Sequence, residues 1–457
     1  MNENKTMIHD LTTGSVWKQL IIFALPFMLS SALQTLYSTV DMIIVGQFTG
    51  GTGLSAVATA SSVVMFVTTI GMGFSTAGQV LISQLVGAGK KDEIQSTIGT
   101  LFTLLAIFSV AAAAIAISLC NPLLRLLNTP EDAFRGARQY LIINAAGAMM
   151  TYGYNAVSSI LRGMGDSKRP LVFIAIASVL NLILDYVFVA FFHWGVAGAA
   201  VATVLGQAVA FITAIIYLYR NKEAFMFDFK LHSFKPVKDK VKVLVKLGTP
   251  MSLQSCAIDL SMSVINGIVN TYGVAASAAY GVGMKIDRLG SIATYALWTA
   301  GATMVGQNVG AGKYERATKT VYSSMLICFV FCGISALVFT LFPRELFSLF
   351  TSDPAVLDLA WMYLVTIVIM EPANVLSTSC NAVIEGTGNA MLSFAIAMFD
   401  GIVLRIALSI LLGRVAGMGL FGFFLGNNLA MYGTAIPAAI YFWSGLWKKR
   451  KLLVATD

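Results

Sequence analysis

Gln84-Leu85-Val86-Gly87-Ala88-Gly89-Lys90 returns 223 residues later as Gln307-Asn308-Val309-Gly310-Ala311-Gly312-Lys313. Arg162-Gly163-Met164-Gly165-Asp166 returns at the same offset as Glu385-Gly386-Thr387-Gly388-Asn389. Pro26 and Pro130 meet Pro250 and Pro354 at an offset of 224. The chain therefore reads as a duplication, and the stretches between the repeated motifs are largely apolar. A helical bilayer crossing needs about 20 mostly apolar residues. Twelve runs meet that need, near 16–47, 53–84, 95–119, 137–161, 170–192 and 196–219 in the first copy, and 243–271, 275–307, 317–341, 356–384, 391–412 and 418–446 in the second. Six is even, so both copies share one orientation and are related by an axis along the membrane normal. The sequence predicts an all-α integral membrane fold of twelve transmembrane helices in two pseudo-symmetric six-helix lobes. The N-lobe is 1–219 (spans 1–6), a basic linker follows at 220–242, and the C-lobe is 243–457 (spans 7–12). The first run is expected to be kept as a helix and not cleaved as a signal peptide, because its partner at Pro250 is internal. Several runs are long enough to need tilt or a kink, and Pro26 is the bend candidate in span 1.

Composition agrees. Of 457 residues, 57% are hydrophobic and 11% charged, with a mean hydropathy of +0.79. Soluble domains carry roughly 25% charged residues, so this chain cannot cover a water-facing surface. A soluble enzyme, a disordered protein and a nucleic-acid binder are excluded. The net charge of +8 is explained by topology: with the N-terminus inside, the inner segments hold 22 Lys and Arg, from Lys5 to Lys451, and the outer ones 5 (Arg125, Arg135, Arg138, Arg344, Arg414). That bias places both termini in the cytoplasm.

Most motifs that suggest chemistry have plainer readings. Gly87-Ala88-Gly89-Lys90 lacks the earlier glycine and following Ser/Thr of a phosphate loop, since Gln84 and Lys91 occupy those places. It reads instead as a glycine helix stop. His9, His193 and His232 make no ligand spacing, no Gly-x-Ser-x-Gly elbow occurs, and the five cysteines sit in apolar stretches. No enzyme activity, metal cluster or cofactor is expected beyond a coupling ion.

Charges inside the spans carry more information, because a carboxylate at the bilayer centre costs on the order of 2.5–3.5 kcal/mol on insertion scales. Asp41 and Asp185 lie in first-half spans whose interiors hold no basic residue, Lys18 and Arg138 standing at span ends. Such acids must be protonated, hold a cation or meet water. Asp41, Asp185 and Thr203 each fall about six or seven residues from an outer span end, roughly 10 Å deep at 1.5 Å per residue. Asn181 shares a helix face with Asp185 at a spacing of four. An all-oxygen set suits a hard cation such as Na⁺, and two neighbouring carboxylates that repel one another also suit uptake of a proton. In the second half Asp259, Asp287, Glu371 and Asp400 face Lys285, Arg288 and Arg405. These form either a salt-bridged core or part of a site for a cationic substrate.

The arrangement resembles the multidrug and toxic compound extrusion (MATE) transporters over essentially the whole chain. Asp41-Met42-Ile43-Ile44-Val45-Gly46, the repeated glycine stretches, Leu161-Arg162-Gly163-Met164-Gly165-Asp166 and Asn181-Leu182-Ile183-Leu184-Asp185 carry the likeness. The resemblance implies a two-lobed antiporter that exports drugs, often hydrophobic aromatic cations, against inward H⁺ or Na⁺. It also implies an N-lobe cation site at Asp41, Asn181, Asp185 and Thr203, with Gln34, Tyr37 and Tyr140 in the surrounding network. Another branch of that family relies on acids in spans 7 and 10, where Asp259 and Glu371 stand here in a differing local sequence. The chain is thus expected to be a monomeric exporter of amphipathic cations in the inner membrane, working by alternating access. The rival reading is a flippase of lipid-linked saccharides, kept open by Lys285, Arg288 and Arg405.

Overall fold

The computed structural model describes residues 8–453; Lys5 and both chain ends lie outside them. Every regular element among the described residues is helical. Eight helices are each long and apolar enough to cross a membrane. The first, Val16–Gly87, has 72 residues, which would make a rod of about 108 Å against a bilayer core of about 30 Å. It is two spans merged at Gly50, whose backbone (φ 68°, ψ −167°) leaves the helical region for one that only glycine enters easily. Three more crossings are interrupted helices, which brings the total to the expected twelve. Span 1 is 16–49, span 2 51–87, span 3 Lys91–Ser118, span 4 Glu131–Ala146 with Ala148–Gly163, span 5 Lys168–Phe191 and span 6 Gly195–Arg220. Span 7 is Lys238–Asn270, span 8 Val274–Gly290 with Ile292–Gly310, span 9 Tyr314–Leu341, span 10 Ala360–Gly386, span 11 Ala390–Val415 and span 12 Gly419–Leu429 with Tyr432–Trp443.

The repeated motifs are helix stops. Gly89, Gly165, Gly312 and Gly388 all have positive φ, between 69° and 87°. After each glycine the next amide bonds back across the last turn: Lys90 to Leu85, Asp166 to Leu161, Lys313 to Asn308 and Asn389 to Ile384, at 2.7–3.1 Å. This is the left-handed cap that satisfies the terminal carbonyls of a helix. Lys313 donates to the Thr12 carbonyl (3.0 Å) and hydroxyl (2.9 Å), so its amine serves the main chain. The duplication extends to packing. A Cβ on Gly163 would lie 2.8 Å from the Gln79 carbonyl and 3.0 Å from Ile82; one on Gly386 would lie 2.6 Å from the Ala302 carbonyl and 2.9 Å from Val305. All three pairs are 223 apart.

The chain forms two compact units. Unit 1 holds Leu29–Ser252 with residues 8–10, and unit 2 holds Leu11–Met28 and the described residues from Leu253 onward. The crossovers fall two residues after Pro26 and after Pro250. Helical backbone runs on through Pro26. Residues 11–19 are fixed within unit 2: Leu11 N donates to Gln307 Oε1 (3.0 Å), Asn308 Nδ2 to Leu11 O (3.3 Å), and Arg316 Nη2 to Thr13 O (2.6 Å) and Gln19 Oε1 (2.7 Å). Within unit 1 the linker is packed onto span 3. Thr103 Oγ1 donates to Phe234 O (2.6 Å), Val237 N donates to Thr100 Oγ1 (3.1 Å), and Lys240 pairs with Glu93.

Candidate functional site

Spans 1, 5 and 6 bring the predicted acid site together inside unit 1. Small residues permit the close approach of spans 5 and 6. A Cβ on Gly206 would lie 3.1 Å from Asn181 Cβ, and one on Gly198 3.1 Å from the Phe188 backbone. Asp185 is fully buried, and Asp41, Asn181 and Tyr140 are 7%, 3% and 6% exposed. The two carboxylates lie within electrostatic reach of each other, and the Tyr37 and Tyr140 hydroxyls within reach of both. Tyr37, Asn181 and Thr203 line a cavity of about 10 Å³ together with Ser178, Gly206 and Gln207, room for roughly one water molecule. One turn further along their helices, Ile44, Val45 and Val189 enter an apolar cluster with Ala56, Ala137 and Ala199.

Several polar atoms at this point are left without protein partners. Among the described residues thirteen buried side-chain atoms lack a hydrogen bond; six of them are here: Asp41 Oδ1, both Asn181 amide atoms, both Asp185 oxygens and Gln207 Oε1. Each such orphan costs roughly 1–3 kcal/mol if nothing else satisfies it. Among the described residues no trio of His, Cys, Asp or Glu gathers as a metal cluster. Two carboxylates backed by amide and hydroxyl oxygens fit a proton or a hard monovalent cation. Gln34 is exposed, apart from the buried group. Gln207 was missed from sequence, although it stands four residues from Thr203, the spacing of one helix face.

The second-half charges are joined in part by hydrogen bonds and in part only by electrostatic reach, of Asp287 to Glu371 and Arg405 and of Asp259 to Arg288. Arg405 and Asp400 are both buried, and Arg405 Nη2 lies 3.3 and 3.4 Å from the two Asp400 oxygens. Residues five apart do not normally face each other in an α-helix. Here Phe399–Leu404 forms a π turn, whose i→i+5 bonding brings them to one side. Thr434 Oγ1 donates to Asp400 (2.8 Å), and Arg405 Nη1 reaches Asn427 Oδ1 (3.3 Å). Asn427 Nδ2 in turn donates to Asn428 Oδ1 (3.1 Å), and Asn428 Nδ2 to Thr366 Oγ1 (2.7 Å). This network ties spans 10, 11 and 12. Glu371 is buried and accepts from Asn374 Nδ2 at 3.3 Å. Asp259 and Asp287 are half-buried, and Lys285 and Arg288 are exposed.

Comparison with known proteins follows the duplication. A profile of the MatE family matches residues 26–187 and again 250–411. The chain is 32% identical over 444 residues to "Probable multidrug resistance protein YpnP" of Bacillus subtilis (strain 168), covering 97% of this chain and 98% of that one. It shares its fold with a MOP superfamily transporter from Pyrococcus furiosus (TM-score 0.91, 23% identity, covering 96% of this chain and 98% of that one). A multidrug resistance MATE family transporter solved in an outward-facing conformation is similar at a TM-score of 0.90, 23% identity, and the same coverage.

Proposed function

The chain belongs to the MatE family, and from that premise we propose that it is a multidrug exporter driven by inward H⁺ or Na⁺. The observation that supports this reading is the pair of buried acids in spans 1 and 5. No base acts on either acid, and three of their own oxygens are orphaned beside three more orphaned atoms of Asn181 and Gln207. A proton on one acid, or a sodium ion among Asp41, Asn181, Asp185 and Thr203, removes the repulsion and satisfies the oxygens. The ion-loaded site packs differently from the charged one, so ion and substrate binding are coupled, and the coupling is reciprocal. In this scheme the N-lobe (1–219) and C-lobe (243–457), joined by the linker at 220–242, alternate their access between the two faces. Pro26 supplies the weak point of span 1, since a proline inside a helix removes a backbone hydrogen bond. The substrates are amphipathic cations, in keeping with relatives named for multidrug resistance or multidrug export. The flippase reading is weakened, because Arg405, one of its three bases, is engaged by Asp400.

The deciding experiment is efflux from proteoliposomes under a proton gradient or a sodium gradient imposed separately. Transport on ΔpH alone assigns a proton to the acid pair, and transport on Na⁺ alone assigns a metal ion to the four-residue set. Response to neither, across a panel of cationic drugs, overturns the antiporter.

A further inference from the structure

A second cavity, of about 790 Å³, opens on unit 1 and shares no lining residue with the acid site. Its size falls in the roughly 300–1,000 Å³ range of ligand sites, but its walls are almost wholly apolar. Ile107 and Val110 of span 3 face Ile212 and Ile216 of span 6, and Phe229 and Phe234 of the linker close one end. All four aliphatic side chains are about half exposed or more.

Only the linker end is charged. Arg220 continues the Ile212–Ile216 stripe at the next spacing of four, so it stands on that face one turn beyond the groove. Lys230 and Lys235 directly follow Phe229 and Phe234. All three bases are exposed. Two acids stand near these bases: exposed Glu223, three residues after Arg220, and Asp228, which accepts from Lys230 N (3.1 Å), lies 3.8 Å from His232 Nε2 and is within electrostatic reach of Lys230; the three bases outnumber them. Between Lys230 and His232, Leu231 is 93% exposed. The loop that holds it out is well fixed. The Phe234 carbonyl accepts from Thr103, and its ring packs tilted against Phe102 and edge-on against Phe227 at centroid distances of 6.1 and 5.0 Å. A fixed apolar residue flanked by bases is the pattern of a membrane-interface anchor.

We infer that this groove holds one anionic phospholipid, with an acyl chain between spans 3 and 6 and its phosphate at Arg220, Lys230 and Lys235. The occupant must be long and apolar at one end and negative at the other. A transported organic cation has the wrong charge for that end, and a neutral lipid gains nothing from the three bases. The linker thereby becomes a lipid-reading element, independent of which ion drives the acid site.

The test is native mass spectrometry of the full-length chain in detergent, titrated with phosphatidylglycerol or phosphatidylcholine of matched chains. One phosphatidylglycerol is expected to be retained in preference. Each basic residue removed should weaken it about fivefold, so R220Q/K230Q/K235Q should lose on the order of a hundredfold while phosphatidylcholine retention stays unchanged. Ile212→Trp, which fills the groove, should reduce retention of both lipids. Equal retention of the two lipids by the wild type, or an undiminished preference in the triple variant, overturns the proposal. So does displacement of the retained lipid by ethidium, which would assign the groove to a cationic substrate.

Discussion

Asp185 has no exposed surface and Asp41 very little, and both sit in apolar helices without a basic partner in those spans. Neither carboxylate contributes an ion pair to the fold, so neutralising one removes repulsion and leaves the packing intact. Asp41→Asn and Asp185→Asn are therefore expected to melt in detergent at or above the wild-type temperature while losing gradient-driven efflux. A melting temperature lowered together with activity would instead mark the acids as structural. Gly206 tests the same site from the neighbouring helix. Its missing side chain lets Asn181 Cβ come to 3.1 Å from where a Cβ would stand. Gly206→Leu should cost about 1–3 kcal/mol by overpacking, read by thermal unfolding, and should abolish transport by pushing Asn181 off the cavity. That Asp41 lies near Asp185 and Asn181 near Thr203 was legible in the sequence for two reasons. A charge in an apolar run is expensive, and depth follows from counting residues at a fixed rise. Rotation about each helix axis was less legible. Gln34 precedes Tyr37 by three residues yet is exposed, and Gln207 was overlooked because an amide in a span signals less strongly than a carboxylate.

Span 11 shows what an irregular helix turn adds at the scale of an element. Its π turn at Phe399–Leu404 creates the Asp400–Arg405 pair, which sequence spacing does not suggest because five residues is not a helical neighbour. The hub joins three helices through buried hydrogen bonds, and removing one partner leaves the other charge uncompensated. Arg405→Met should therefore destabilise unit 2 by about 3–5 kcal/mol. The apolar double variant Asp400→Leu with Arg405→Leu should recover most of that loss, as followed by thermal melting of the purified protein. If the double variant is no better than the single, the hydrogen bonds to Thr434 and Asn427 matter more than the charges. The glycine stops were legible as such, and the backbone explains their identity. Gly312 holds φ 71°, where a side chain costs roughly 1–2 kcal/mol; Gly312→Ala should lower stability by that amount, read as a lower melting temperature, without changing coupling-ion preference. Span ends were harder to read. The break at Gly50 falls between the expected runs 16–47 and 53–84, whereas spans 4, 8 and 12 break inside apolar sequence where hydropathy gives no sign.

At the scale of the whole molecule, orientation decides the direction of transport. The duplication makes each half cross six times, so a single side assignment fixes every loop. The distribution of 22 Lys and Arg against 5 predicts a cytoplasmic linker by the positive-inside rule. The structure adds a physical reason for the linker to be hard to translocate. It is pinned to span 3 by main-chain bonds at Thr100 and Thr103 and carries exposed bases along its length. That expectation places Lys235 on the cytoplasmic side and Arg344 on the opposite one, and both are exposed. Four of the five native thiols are buried and Cys256 is partly so. In a Cys256→Ala background, Lys235→Cys should react with a membrane-impermeant maleimide only after cells are permeabilised, whereas Arg344→Cys should react from outside in intact cells. The reverse pattern would turn the same chemistry around: Asp41 and Asp185, counted as roughly 10 Å from the outer face, would lie that far from the cytoplasm instead. An inward ion gradient would then load the acids from the wrong end, and the export reading would fail even if the coupling residues were correctly identified.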